Sequence, residues 1–135
     1  MVMSVTGPGR ATRAEWKLGV APFAHMNPTK SPGEAVVVTW VVTNTGGASG
    51  NAQLRINDLL ALVPLVIKDP MPIGPGESFI LQAVWTVPST GPSSYSLNTE
   101  VMDFDTGKQV AFHNFTVTVV AAGANLVVVG DPSIT

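Results

Sequence analysis

The sequence predicts an all-β protein, an antiparallel β-sandwich of seven or eight strands. Apolar and polar side chains alternate with period two in several stretches, and the most apolar stretch runs from Ala35 to Val42. Clusters of glycine and proline separate these stretches at short intervals, as turns do. No stretch has the period of an amphipathic helix. We therefore expect strands throughout the folded part of the chain.

Seven stretches are predicted as strands, and they are residues 15–21, 35–42, 51–58, 59–68, 79–86, 95–102 and 108–120. Residues 59–68 are apolar on both faces. They define one sandwich domain over residues 15–120, which is long enough for a single core. Residues 22–33 and 69–78 are rich in proline and are predicted as a loop and a turn. Residues 1–14 and 121–135 are predicted as extended N- and C-terminal arms, and the C-terminal arm contains a further apolar stretch.

The phase of each alternation predicts which side chains form the core. Trp40 is in phase with valines on both sides, Trp85 is in phase with Leu81, and both indoles are therefore predicted core residues. Because both faces of the strand around Trp40 are apolar, this strand is either unusually buried or covered on its outer face by a neighbour. Pro64 restricts its strand to a sheet edge or a bulge.

The last strand contains a change of phase. Phe112 and Phe115 fall on opposite faces of a regular strand, although both are large and apolar. The sequence therefore predicts a β-bulge near His113 and Asn114.

Composition excludes several classes of function. The seven Lys and Arg residues are spread along a chain of net charge −2, so direct nucleic-acid binding is not expected. No cysteine is present for a disulfide or a thiolate metal site, and no apolar run approaches the length of a membrane span. The N-terminal residues lack the apolar core of a secretory signal. Charged residues make up only 12% of the chain, so we expect partner subunits to cover some of its surface.

Few residues suggest chemistry. His25 and His113 have no sequence-local carboxylate or second histidine at ligand spacing, and no nucleophile motif occurs, so we predict no enzyme activity, metal or cofactor. The pattern Asp103-x-Asp105-x-Gly107 resembles the start of a calcium loop but lacks its distal ligands. Its alternative is a capped hairpin turn, with Gly107 in a left-handed conformation.

The turn sequences carry a resemblance to a known family. Asn44-Thr45-Gly46 follows one apolar strand, Pro75-Gly76-Glu77-Ser78 precedes the next, and Gly91 lies four residues before Tyr95. Over about residues 15 to 120 this order resembles the CARDB-type and fibronectin III-like members of the immunoglobulin-like superfamily. The resemblance implies an immunoglobulin-like sandwich in which Tyr95 is the tyrosine corner, a structural core residue. It implies no catalytic residues.

The resemblance also implies a class of function. Single immunoglobulin-like modules without a signal are similar to accessory proteins of tailed-phage virions. We therefore predict a non-enzymatic virion protein, such as a capsid decoration protein, that assembles through its arms and sandwich edges with itself or with a capsid or tail protein. The hypothetical assembly interface is Leu126, Val127, Val128 and Val129.

The alternative is a CARDB-like adhesion or carbohydrate-binding module at the cell surface or outside the cell. Because Trp40 and Trp85 are predicted core residues, a carbohydrate ligand would depend on the loop aromatics Phe23 and Phe104.

Overall fold

The computed structural model describes residues 13–19 and 27–121. These residues form nine strands and no helix, which confirms the predicted all-β class for this part of the chain. The strands are β1 (Trp16–Gly19), β2 (Thr29–Lys30), β3 (Ala35–Asn44), β4 (Gly50–Asp58), β5 (Val63–Ile67), β6 (Met71–Ile73), β7 (Ser78–Thr86), β8 (Ser94–Asp103) and β9 (Lys108–Val119). Of the two predicted arms, only residues 13, 14 and 121 are described.

The strands form two sheets that pack face to face as a β-sandwich. The smaller sheet has three strands in the order β1-β3-β7. The larger sheet has the order β2-β9-β8-β4-β5, and β6 also pairs with β4. The pairing of β2 with β9 is parallel, and the other pairings are antiparallel. Among the described strands, β7 is therefore an edge of the smaller sheet and β5 an edge of the larger one.

The core lies between the sheets and follows the alternation in the sequence. In β3 every second residue from Val36 to Val42 is buried, whereas Val37 is 54% exposed. Trp40 and Trp85 reach the centre of this core and are 5% and 8% exposed. The outer face of β3 is thus open to solvent at Val37.

Two short strands lie where the sequence predicted only connections. Strand β2 lies in the predicted loop 22–33 and pairs with the end of β9, and β6 lies in the predicted turn 69–78 and pairs with the start of β4. Both predictions were wrong at these positions. Strands of two and three residues are too short to show alternation, and they depend on partners that are distant in the sequence.

The predicted bulge in β9 lies at a different place. The register shifts between Gln109 and Ala111, not near His113 and Asn114 as predicted. From Ala111 onward the strand keeps one phase, which buries Phe115 and leaves Phe112 56% exposed on the outer face. The prediction was wrong because it assumed that Phe112 faces the core.

Tyr95 is the second residue of β8, and it packs against Trp85 and against the connection that precedes β8. Its ring meets Trp85 edge-on, with ring centroids 4.9 Å apart and an interplanar angle of 76°. The hydroxyl lies so close to Gly91 that a Cβ at position 91 would overlap with it. The hydroxyl therefore reaches back to the preceding connection, where a tyrosine corner places it.

We expect Gly91→Ala to lower the free energy of unfolding by about 1–3 kcal/mol, because the new methyl group overlaps with the Tyr95 hydroxyl. Urea denaturation followed by circular dichroism measures this cost. In a Tyr95→Phe background the cost should shrink, because the missing hydroxyl leaves room for the methyl group. An equal cost in both backgrounds would contradict the contact.

Candidate interaction surface

Within residues 13–19 and 27–121, the most exposed large apolar side chains lie on the loop between β4 and β5. We call residues Leu59–Val63, which are the β4–β5 connection and the first residue of β5, the leucine loop. Leu60 is 80% exposed and Leu62 is 82% exposed, and Val63 at the end of the loop is 45% exposed. Large apolar side chains on a loop tip contribute almost nothing to the core, so their place in this sequence needs another explanation.

Hydrogen bonds hold the leucine loop in one conformation. The Asp58 side chain accepts bonds through Oδ1 from the backbone N–H groups of Leu60, at 2.9 Å, and Ala61, at 3.0 Å. The backbone N–H of Leu59 donates to the carbonyl oxygen of Ser96 at 2.9 Å. The exposed leucines are therefore presented by an anchored turn.

Leu62 also has a strained backbone. Its φ is +58°, and among the described residues it is the one non-glycine residue with a positive φ. This left-handed conformation costs a residue with a Cβ about 1–2 kcal/mol. Neither the strain nor the exposure of Leu62 stabilises the fold.

The apolar surface continues from the loop onto β5. Ile67 is 52% exposed, and Pro64 lies on this edge strand beside a register shift opposite Ile56 and Asn57. The prediction that Pro64 occupies an edge or a bulge is confirmed. Proline and irregular pairing discourage another strand from adding to β5, so this surface suits side-chain contacts.

A second, mainly apolar feature lies along the edge of β7 that pairs with no described strand, which we call the free edge. A groove of about 220 Å³ separates this edge from the β5–β6 connection of the larger sheet. It is lined by Ala52, Leu54, Lys68, Asp69, Met71, Ile80, Leu81 and Gln82. We call it the edge groove. Because Ala52 and Leu54 are core residues, the groove opens into the space between the two sheets.

The outer face of the larger sheet carries a row of polar side chains. Asn57 Nδ2 donates to Asn98 Oδ1 at 3.0 Å and to Glu100 Oε2 at 2.7 Å. Asn98 Nδ2 donates to Asn114 Oδ1 at 2.9 Å, and Gln109 Nε2 donates to Glu100 Oε1 at 2.8 Å. These groups bond one another across three strands, so the row stiffens the sheet.

The acidic loop between β8 and β9 has the geometry of a capped turn. Asp103 Oδ1 accepts bonds from the backbone N–H groups of Asp105, at 3.0 Å, and Thr106, at 3.1 Å. Asp105 Oδ2 accepts the backbone N–H of Asn51 at 3.0 Å, and Gly107 has φ +74° as predicted. These bonds favour the hairpin-turn interpretation over a calcium loop.

Asn44 is a residue whose role the sequence did not reveal. It is fully buried, and its Oδ1 accepts bonds from the backbone N–H groups of Glu15, at 3.2 Å, and Gly46, at 2.9 Å. Its Nδ2 donates to the carbonyl oxygens of Ala48, at 2.8 Å, and Ile73, at 2.9 Å. One side chain therefore joins the segment before β1, the β3–β4 loop and β6.

The remaining predicted site residues are scattered. His25, Phe23 and the hypothetical interface Leu126–Val129 lie outside the described residues. His113 lies opposite Thr99 in the β8–β9 ladder, and Phe104 is 51% exposed in the acidic loop. Within residues 13–19 and 27–121 no three His, Asp or Glu side chains are grouped as metal ligands. No helix in this part of the chain could cross a membrane.

Comparisons with known proteins identify the fold. No family model and no curated protein matches the chain. It is similar to the CARDB domain of a Pyrococcus furiosus protein, with 17% identity and a TM-score of 0.50 over 79% of this chain and 89% of that one. It is also similar to a Niemann-Pick type C2 protein from the Japanese carpenter ant, with 12% identity and a TM-score of 0.54 over 78% of this chain and 89% of that one.

A third match is to part of a larger protein, a β-glucosidase from Listeria innocua. The identity is 13% and the TM-score 0.54, over 80% of this chain and 16% of the β-glucosidase. At such identities the likenesses show the fold alone. They support an immunoglobulin-like β-sandwich, as the turn sequences implied.

Proposed function

We propose that this chain is a non-enzymatic structural module that assembles with other protein subunits, and that the leucine loop is one of its docking contacts. The observation that supports this proposal is the exposure of Leu60 and Leu62 on an anchored turn. Burying a leucine side chain against a partner contributes about 1.5–3 kcal/mol before the costs of association. Two such side chains at one tip fit the core of a small interface, which is more apolar than its rim.

The chemistry of the loop favours a protein partner over a membrane surface. Anionic lipid surfaces attract Lys and Arg next to apolar anchors. Between Arg55 and Lys68 the sequence has no basic residue, and Asp58 lies at the base of the loop. We therefore propose a partner that offers an apolar pocket, either a further copy of this chain or another structural protein.

Two settings fit such a module. A virion accessory protein would use the loop to dock on a capsid or tail protein, and the low proportion of charged residues suits a subunit of a larger assembly. A CARDB-like surface module would use it to contact a neighbouring domain, and the likeness to a CARDB domain is compatible with this alternative. We do not propose a carbohydrate site on the polar row, because its groups bond one another.

Replacing Leu60 with serine and Leu62 with asparagine should abolish docking without harming the fold. Asparagine tolerates a left-handed conformation better than leucine, so we expect stability to stay constant or to rise by up to about 1 kcal/mol. The complexes are measured by sedimentation velocity, on the chain alone and on the chain co-expressed with the products of neighbouring genes.

Phe112→Ser is the matched control, because Phe112 is a large exposed residue on the outer face of the larger sheet. It should leave the complexes intact. The proposal fails if the wild-type chain forms no complex with itself or with those products, or if the loop substitutions leave every complex unchanged.

A further inference from the structure

No described strand pairs with the side of β7 that faces away from β3. Its nine residues, SFILQAVWT, include no charged residue and no proline. Its pairing with β3 is regular from Ser78 to Thr86, whereas the edge strand β5 contains Pro64 and a register shift. Soluble proteins usually protect such an edge with charges, prolines or bulges, because a free edge recruits another strand. The edge of β7 is therefore suited to strand addition.

The hydrogen bonds at both ends of the β3–β7 ladder show which backbone groups of β7 bond to β3 and which point away from it. Asn44 N–H donates to the Glu77 carbonyl at 2.9 Å, and Val87 N–H donates to the Glu34 carbonyl at 2.9 Å. Because hydrogen-bonded pairs alternate in an antiparallel ladder, the odd-numbered residues of β7 bond to β3. The N–H and C=O groups of the even-numbered residues, such as Gln82, therefore point to the free edge.

The edge groove provides space beside these backbone groups. An added strand would place every second side chain over the groove, where the core residues Leu54 and Leu81 are reached. Its other side chains would extend the outer face of the smaller sheet, next to Ile80 and Val84, which are 67% and 49% exposed. Both faces of the added strand would then meet apolar side chains, so a strand apolar on both faces fits best.

We propose that the β7 edge binds residues Leu126–Val129 of a second copy of this chain as an added β-strand. This segment is apolar at four consecutive positions and β-branched at three of them, so it suits both faces of the site. Addition of a strand to a sheet edge is a recurring mode of protein recognition. The inference deepens the proposed assembly function, on which it rests, by naming a second copy as one partner.

The length of chain between Ala121 and Leu126 favours the segment Leu126–Val129 of a second copy over the same segment of the chain to which β7 belongs. Ala121 lines a cavity with Pro88, at the end of the sandwich where β7 finishes. Crossing between the sheets takes about 10 Å, or roughly three residues of extended chain. A strand continuing along β7 would then bring Gly130 and Asp131 to about the level of Leu81. Neither Gly130 nor Asp131 offers an apolar side chain to Leu54 and Leu81 in the groove, whereas a second copy can align its four apolar residues with them.

Cysteine cross-linking tests the inference in the 135-residue chain, which contains no cysteine. Chains with Gln82→Cys are mixed with chains that carry one cysteine at each position from 126 to 129, and the mixed dimer is measured on non-reducing gels. A disulfide requires Cα atoms within about 7 Å, and alternate residues of a strand face opposite ways. We expect two alternate positions to yield about tenfold more mixed dimer than the two between them.

Phe112→Cys replaces Gln82→Cys in the first control, and it should give no specific dimer, since Phe112 lies on the other sheet. In a second control the probe is Val84→Cys. In chains that carry Val84→Cys, the further substitution Gln82→Pro should reduce the yield of mixed dimer about tenfold, because it removes an N–H that faces the free edge. Gln82→Thr keeps this N–H and should not reduce the yield. The backbone bonds to β3 are retained in both variants, and both lose the same side-chain bond from Gln82 Nε2 to Thr39 Oγ1.

No mixed dimer at any of the four positions, or equal yields at all four, would overturn the inference. A chain that carries both Gln82→Cys and a cysteine at one of positions 126 to 129 gives a third outcome: a cross-link within that single chain would also overturn it. Repeating the experiment with Leu60→Ser and Leu62→Asn separates the two proposals. If only the loop proposal is wrong, the cross-link persists and the loop substitutions do not change the complexes seen by sedimentation velocity. If only strand addition is wrong, the loop-dependent complexes form without the cross-link.

Discussion

Replacing Asn44 with alanine is expected to lower the free energy of unfolding by about 3 kcal/mol, one of the two largest effects in this chain. The change removes four hydrogen bonds made by one fully buried side chain. Each buried N–H or C=O that loses its partner costs about 1–3 kcal/mol, and some of them will recover a bond to water in the space left behind. The loss should therefore be large but below the sum of four separate penalties.

The location of these bonds predicts how the variant will fail. Asn44 joins Glu15, which precedes β1, to Ile73 at the end of β6. Without the side chain, both peripheral strands lose an anchor to β3. Relative to the wild-type chain, hydrogen exchange should therefore accelerate more in β1 and β6 than in β8. The pairing of β8 with β4 and β9 does not involve Asn44.

Asn51→Ala is the matched control for the stability measurement. Asn51 is also an asparagine next to a turn, but its side chain bonds only at the exposed surface, to Asp105. We expect it to cost no more than about 1 kcal/mol by urea denaturation. Equal costs for the two variants would mean that Asn44 is an ordinary turn residue, as its sequence context suggested.

The sequence predicts the central strands well because burial of one face is local information. In β4, Ala52, Leu54 and Ile56 alternate with longer polar residues, and the structure buries all three. Tyrosine corner chemistry is similarly local, since Gly91 and Tyr95 are four residues apart. Where the residues that determine a feature all lie in one strand or one turn, the hydrophobic period and the residue types are sufficient to predict it.

The candidate surfaces depend on which strand lies next to which, and sequence patterns do not record this. The stretch Leu59 to Lys68 is apolar at almost every position, so its pattern cannot distinguish a buried strand from an exposed loop. The edge groove exists because the smaller sheet ends at β7 among the described strands. Asn44 is similar: its sequence neighbours indicate a turn, and its partners Glu15 and Ile73 are each 29 positions away.

The second large effect is expected for Trp40→Ala, which should cost about 3–5 kcal/mol. Trp40 is 5% exposed in the middle of β3, so alanine leaves a large cavity between the sheets. Natural domains are stable by about 5–15 kcal/mol, so the variant should be substantially less resistant to urea and heat. Trp16→Ala is the control, because Trp16 is only partly buried on the short strand β1, and it should cost clearly less.

A hydrogen bond between the sheets accounts for a separable part of the Trp40 effect. Trp40 Nε1 donates to Thr99 Oγ1 at 3.1 Å, and that hydroxyl donates to the carbonyl oxygen of Arg55 at 3.1 Å. Trp40→Phe removes the indole donor but retains an aromatic ring, and Thr99→Val removes the hydroxyl at similar volume. In a double-mutant cycle we expect the two substitutions to couple by about 0.5–3 kcal/mol, because each removes the same bond. If the costs of the two substitutions simply add, the hydrogen bond contributes nothing, and the shape of the indole alone makes tryptophan preferable at position 40.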